Sequence, residues 1–162
     1  MLTTTASLKA QFDLQTRWFG NVLDNISDPE SHIRDHKQLN HLKWIAGHLL
    51  NTRLTSMSRI VGLQPDESYK TQFARGAALE NNNVYPSIEQ IVTRWNDTAA
   101  AISEGILQIP EEVLSMPATA KAPIADETVR GMLSFLISHE AFHIGQMSVI
   151  RKLIGKEAMS YL

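Results

Sequence analysis

The chain contains no cysteine. Disulfides, iron–sulfur clusters, thiolate metal sites and a cysteine nucleophile are all excluded, so any bound metal falls to His, Asp or Glu. Long apolar runs are missing as well: none approaches the ~20 residues that span a bilayer. Basic clusters are also lacking. Lys and Arg number 15 against 17 Asp and Glu, for a net charge of −2, and the cations are scattered. Nucleic acid is therefore not an expected partner, because phosphate binding needs clustered cations. Residues 1–7 have neither a basic stretch nor an apolar one of the kind a secretory leader uses, and the expected location is cytoplasmic. No segment alternates at period two and no hairpin dipeptide is present, which removes the usual signs of a sheet.

What is present is an ordinary globular composition, 43% hydrophobic and 20% charged over 162 residues, enough for one domain spanning 1–162. Leu8, Phe12, Gln15, Phe19, Val22, Leu23 and Ile26 recur at helical spacing. They predict a first helix over 7–25, capped by Thr4, Thr5 or Ser7, with Leu2 as a hydrophobic staple. Ser27-Asp28-Pro29-Glu30 stops it, and a polar irregular turn over 31–37 follows. A second helix over 39–61 buries Leu42, Ile45, Ala46, Leu49, Leu50, Met57, Ile60 and Val61, and ends at Gly62. Gly47 costs ~1 kcal/mol relative to Ala in a helix interior, so a close neighbour or a bound group beside His48 is expected there.

The connection over 63–85, with its polar Glu80-Asn81-Asn82-Asn83, is too long for a turn, and a short helix over 66–75 fits within it. Ser87 and Gln90 form a capping box that opens the third helix. Its stripe runs through Ile88, Ile91, Val92, Trp95, Ile102, Ile106 and Leu107 to Ile109-Pro110, with one further turn over 110–114. A loop then leads to a fourth helix, capped by Asp126 or Thr128 and running to Gly155. The tail over 156–162 is expected to pack loosely. Four long amphipathic helices describe an all-α four-helix bundle with a long connection between helices 2 and 3.

Six histidines are present. His139 and His143 fall in the row Val129, Met132, Leu136, His139, His143, Gln146 or Met147, Ile150 and Ile154, which faces a core. Their Cβ atoms then lie ~5–6 Å apart, within reach of one ion. Burying two imidazoles without a common partner leaves donors and acceptors unmatched at about 1–3 kcal/mol each, which favours a shared metal. His32 and His36 stand in a polar loop and read as solvated. His41 and His48 are ~10 Å apart along one helix axis and do not readily share an ion. His48, mid-helix beside Trp44, Ile45 and Leu49, is the better third ligand.

His139-Glu140-Ala141-Phe142-His143 also matches the H-E-x-x-H pattern of zinc peptidases. The longer form of that pattern asks for Gly and His where Gln146 and Val149 stand, and a distant Glu ligand has only Glu157 to offer. A metallopeptidase is thus the weaker alternative. A di-iron bundle needs a second Glu-x-x-His, which no other helix supplies.

Asn40-His41-Leu42-Lys43-Trp44-Ile45-Ala46-Gly47-His48-Leu49 and Ser138-His139-Glu140-Ala141-Phe142-His143-Ile144-Gly145-Gln146, with Ile150 to Gly155 after it, together resemble the DinB-like (DinB/YfiT) superfamily of metal-binding four-helix bundles. The resemblance covers nearly the whole chain. It implies that His48, His139 and His143 are a metal triad for a divalent ion (nickel, zinc, manganese or iron). Characterised relatives include thiol S-transferases and isomerases that use bacillithiol, mycothiol or glutathione, and homodimers are common. The implied function is a metal-dependent enzyme of thiol S-transferase or hydrolase type acting on a small molecule. Lacking cysteine, the chain would need a soluble low-molecular-weight thiol for the former. The competing class is a non-catalytic metal- or ligand-binding bundle.

Three further residues are catalytic candidates. Glu140 is either an acceptor for an imidazole N–H or a solvated charge. Gln146 would bond the ligand at the metal or brace a neighbouring helix. Arg53 would contact a substrate carboxylate or form a surface salt bridge. Trp44 and Phe142 read as core packing, and Tyr85 with its connection is placed to cover the site.

Overall fold

A computed structural model describes residues 3–34, 36–77, 79 and 85–162. The expected staple at Leu2 and the run over 80–83 lie outside these. Four long helices form the frame: α1 (Thr4–Leu23), α3 (Leu42–Ser56), α6 (Ile88–Leu107) and α8 (Val129–Leu153). Four short ones lie between them: α2 (Asp28–Ser31), α4 (Ser58–Val61), α5 (Glu67–Phe73) and α7 (Glu111–Leu114). The described residues contain no strand, only an isolated bridge between Pro117 and Thr128. No helix among them is long and apolar enough to cross a membrane.

Helix directions follow from which residues meet. Arg151 on α8 donates to the Val22 carbonyl at the end of α1, while Leu8 and Phe12 at its start share a core with Leu133 and Leu136, so α1 and α8 run parallel. Arg53 of α3 lies over Trp95, and Val61, on α4 just past the end of α3, packs against Gly105 further along α6, so α3 and α6 also run parallel. The first pair opposes the second. This arrangement explains the long connection between α3 and α6: parallel neighbours oblige the chain to travel back along a helix ~30 Å long before starting the next. The short α5 sits within that return and packs on α3.

Local chemistry sets most ends. Thr3 caps α1, one residue before the earliest candidate. The capping box at Ser87 and Gln90 forms as expected, and Ser27 with Glu30 makes a second that opens α2 where only a stop was foreseen. The predicted second helix is shorter and broken. It starts at Leu42 because the His41 imidazole accepts from the Trp44 backbone N–H, and it is interrupted at Met57 before α4. Thr52 and Thr55 direct their hydroxyls to carbonyls one turn back, which bends helices. Gly62 then takes φ 75°, as its capping position requires. The C-terminal tail is anchored rather than loose. Met159 is buried, Trp18 Nε1 donates to the Tyr161 carbonyl at 3.1 Å, and Asn21 Nδ2 to that of Ser160 at 2.9 Å.

Candidate metal centre

His48 stands in the middle of α3 and His139 and His143 one turn apart on α8, so the bundle alone decides whether they meet. They do. One ring nitrogen from each lies within 4.8 Å of the others, and His48 Nε2 is 3.3 Å from His139 Nε2. Two nitrogens held ~2.05 Å from one ion at a tetrahedral angle are ~3.3 Å apart, so the spacing is that of ligands on a common metal.

Hydrogen bonds set which nitrogen is free. The His48 Nδ1–H donates to the Phe73 carbonyl at 2.8 Å, which leaves Nε2 with its lone pair toward the other rings. The His143 Nδ1–H donates to Gln146 Oε1 at 2.7 Å, with the same result. Such outer bonds fix ring orientation and raise ligand basicity. His139 Nδ1 is buried and has no hydrogen-bond partner. Burial holds all three rings neutral by lowering their affinity for a proton. His139 is carried down to about 4 by burial first and then by His143 and His48. His48 and His143 are also lowered, the latter against the opposing pull of Gln146. Three neutral imidazoles with their lone pairs converging are a donor set for a divalent ion, and no carboxylate among the described residues joins them.

Phe73 was not found from the sequence, but it had left a trace there. A Cβ on Gly47 would lie 2.4 Å from the Phe73 ring, so glycine is needed for α5 to approach α3 closely enough to present that carbonyl. Trp44 is buried, as expected, and its indole stacks on the His48 ring at 5.2 Å with planes 5° apart.

The buried face of α8 is rotated from the one the sequence suggested. Leu133, Ile137, Glu140, Ile144, Met147 and Arg151 are buried, while His139 and His143 are half-buried on its flank. Glu140 is consequently neither an imidazole acceptor nor a solvated charge. It is 2% exposed, and its two carboxylate oxygens take Arg53 Nε at 2.7 Å and Nη2 at 2.9 Å. Arg53 is 1% exposed and lies over the Trp95 ring, 3.3 Å from its centre, so it is neither a surface salt bridge nor a contact for an incoming carboxylate. The peptidase pattern fails on the same fact: the glutamate that would activate water is turned into the core and paired with Arg53. Phe142, read as packing, is 63% exposed beside His143. Gln146 is exposed and braces His143 rather than another helix. Tyr85 is buried with its ring stacked on Phe73 at 5.2 Å and edge-on to His41 at 5.7 Å. The His32 ring lies tilted against that of His41 at 4.9 Å, His36 is exposed, and none of these three joins the triad.

An all-helical frame with three histidines gathered between two of its helices defines a class of histidine-bearing bundles. The sequence pattern of the DinB superfamily matches residues 11–147, and the chain belongs to that superfamily. Its fold is similar to that of a conserved protein from Enterococcus faecalis of known crystal structure, with 17% identity and a TM-score of 0.71 over 95% of this chain and 98% of that one. No functionally curated protein matches the sequence.

Proposed function

We propose that the protein is a metal-dependent enzyme of thiol S-transferase or hydrolase type, acting on a small molecule at His48, His139 and His143. One observation carries this reading: Nε2 of His48 and of His143 is set free by a bond on the opposite nitrogen, and both face His139 with no fourth His, Asp or Glu ligand among the described residues. When bound, a divalent ion (zinc, nickel, manganese or iron) supplies Lewis acidity, which serves hydrolysis and thiol transfer alike. The remaining work falls to this chain's residues. The Phe73 carbonyl and Gln146 hold two rings in their ligating tautomer, burial keeps all three unprotonated at neutral pH, and Trp44 covers one face of His48. Glu140 and Arg53 serve position rather than chemistry, holding α3 against α8 one residue from His139. The absence of cysteine makes a thiol reaction dependent on a soluble low-molecular-weight thiol. A second copy is the protein partner this reading expects, with the exposed apolar row Phe142, Val149 and Leu153 as the surface that supports it.

Metal analysis of the purified protein is the test. About one divalent ion per chain is expected, lost in His48→Ala, His139→Ala and His143→Ala. Gln146→Leu, at an exposed position, should keep the fold and weaken metal binding by roughly 10–100-fold, read by competition with a chromophoric chelator. Full metal retention by His48→Ala would overturn the assignment.

A further inference from the structure

The triad is not the roomiest part of the protein. A cavity of about 1000 Å³ lies where α3 gives way to α4, enclosed also by α5, the end of α6, α7 and the start of α8. Its apolar wall includes Ile60, Val113 and Met132, and its polar side carries Thr55, Arg59 and Lys70. Such a volume is at the upper end of what small-molecule sites enclose.

Two helices lead from this cavity to the histidines. Thr55 is seven residues after His48 on α3, and Met132 is seven before His139 on α8. Seven residues are two turns, ~10 Å along the axis, and since α3 and α8 run in opposite directions both stretches point the same way. Thr52 and Phe135, both half-buried, mark the midpoints, and the Phe135 ring lies 5.9 Å from His139. A third element spans the same interval: α5 presents Lys70 to the cavity and the Phe73 carbonyl to His48.

The cavity also carries a charge without a counterpart. Lys70 is engaged with Glu67 at 3.3 Å. Arg59, exposed at the rim, makes no ion pair or hydrogen bond to any described residue. A free guanidinium beside an apolar wall is suited to a carboxylate, which it can hold with two parallel bonds.

We infer that this cavity receives the far end of the molecule that reacts at the triad, and that this molecule is an elongated organic acid. Its carboxylate meets Arg59, its apolar middle lies along Met132 and Val113, and its reacting head, a thiol in the simplest case, reaches the histidines. The inference rests on the metal-site reading above. Arg59 stands eleven residues after His48, ~16 Å along the axis. The molecule is therefore an extended chain of roughly eight to thirteen bonds at ~1.2 Å advance per bond, the lower figure applying where the arginine side chain reaches ~6 Å back toward the histidines.

Cobalt-loaded protein titrated with mercaptopropionate, mercaptooctanoate and mercaptoundecanoate provides the test, with thiol binding read from the charge-transfer band and calorimetry. The longer acids should bind at least about tenfold more tightly than mercaptopropionate, the gain of one charge-assisted contact. That gain should vanish for their methyl esters, in Arg59→Ala and in Met132→Trp, while mercaptopropionate binds all forms alike. Chain-length gain that survives in the esters and in Arg59→Ala would overturn the proposal, as would no gain at all. Either result with normal cobalt loading and mercaptopropionate binding leaves the metal site standing. If cobalt is not held, the metal reading fails by itself. Decanoate binding to the metal-free protein, measured by calorimetry and dependent on Arg59, then supports the cavity, and its absence overturns it.

Discussion

A single carbonyl and a single missing side chain govern how His48 is held. Gly47 lets the Phe73 ring come within 2.4 Å of where a Cβ would be, and that approach delivers the acceptor for His48 Nδ1. Gly47→Ala should gain ~1 kcal/mol of helix propensity and lose more than that to overpacking, about 1–3 kcal/mol. Urea denaturation of the metal-free protein is expected to show a net loss, accompanied by weaker metal binding; unchanged metal affinity would separate Phe73 from the site. His41 carries a different dependence. Its Nδ1 accepts from the Trp44 N–H and so must be unprotonated to cap α3. Burial first, then His32, Lys43 and Arg34, lower it from 6.5 to about 4. The unfolded chain therefore binds this proton at higher pH than the folded one. The stability His41 contributes is complete above pH 6.5 and is lost as pH falls toward 4, a change on the order of 2–3 kcal/mol. Asparagine caps without titrating in that range, so His41→Asn should flatten the fall in stability between pH 7 and pH 4 by that amount. An unchanged slope would show that His41 is not the group responsible.

Between elements, the Arg53–Glu140 pair joins α3 to α8 beside His139, with Trp95 of α6 beneath the guanidinium. Removing one member leaves a buried charge without its partner. Glu140→Leu and Arg53→Met should each cost about 3–5 kcal/mol, whereas the double change Arg53→Met with Glu140→Leu should recover most of the loss. Thermal denaturation of the four proteins forms the cycle, and two single changes that cost under 1 kcal/mol would deny the pair its role. The same pair explains why the buried face of α8 could not be read from its own sequence. A charged residue in a helix counts as outward-facing unless its partner is known, and here the partner lies on another helix, 87 positions away in the chain. Arg151 is a parallel case, buried because the Val22 and Asp24 carbonyls at the end of α1 receive it.

At the scale of the whole molecule, α8 displays Phe142, Val149 and Leu153 on one side, exposed by 63, 57 and 52%. Three apolar side chains in a row on a helix are costly to leave in water. Sedimentation at micromolar concentration should find a dimer, and Phe142→Glu with Val149→Glu should give a folded monomer. A wild-type monomer would remove the second copy from the functional reading.

The helical class, the positions of the long helices, the capping box at Ser87 and the oddity of Gly47 were all legible in the sequence, because each depends on spacing within a few residues. The candidacy of His139 and His143 was legible for the same reason, their i,i+4 interval. Only the tertiary structure brought His48 to within 3.3 Å of His139, supplied the Phe73 carbonyl, and turned Glu140 inward to Arg53. Those contacts depend on how helices distant in sequence are rotated against one another, and that rotation is set by the packing of the whole core rather than by any single helix.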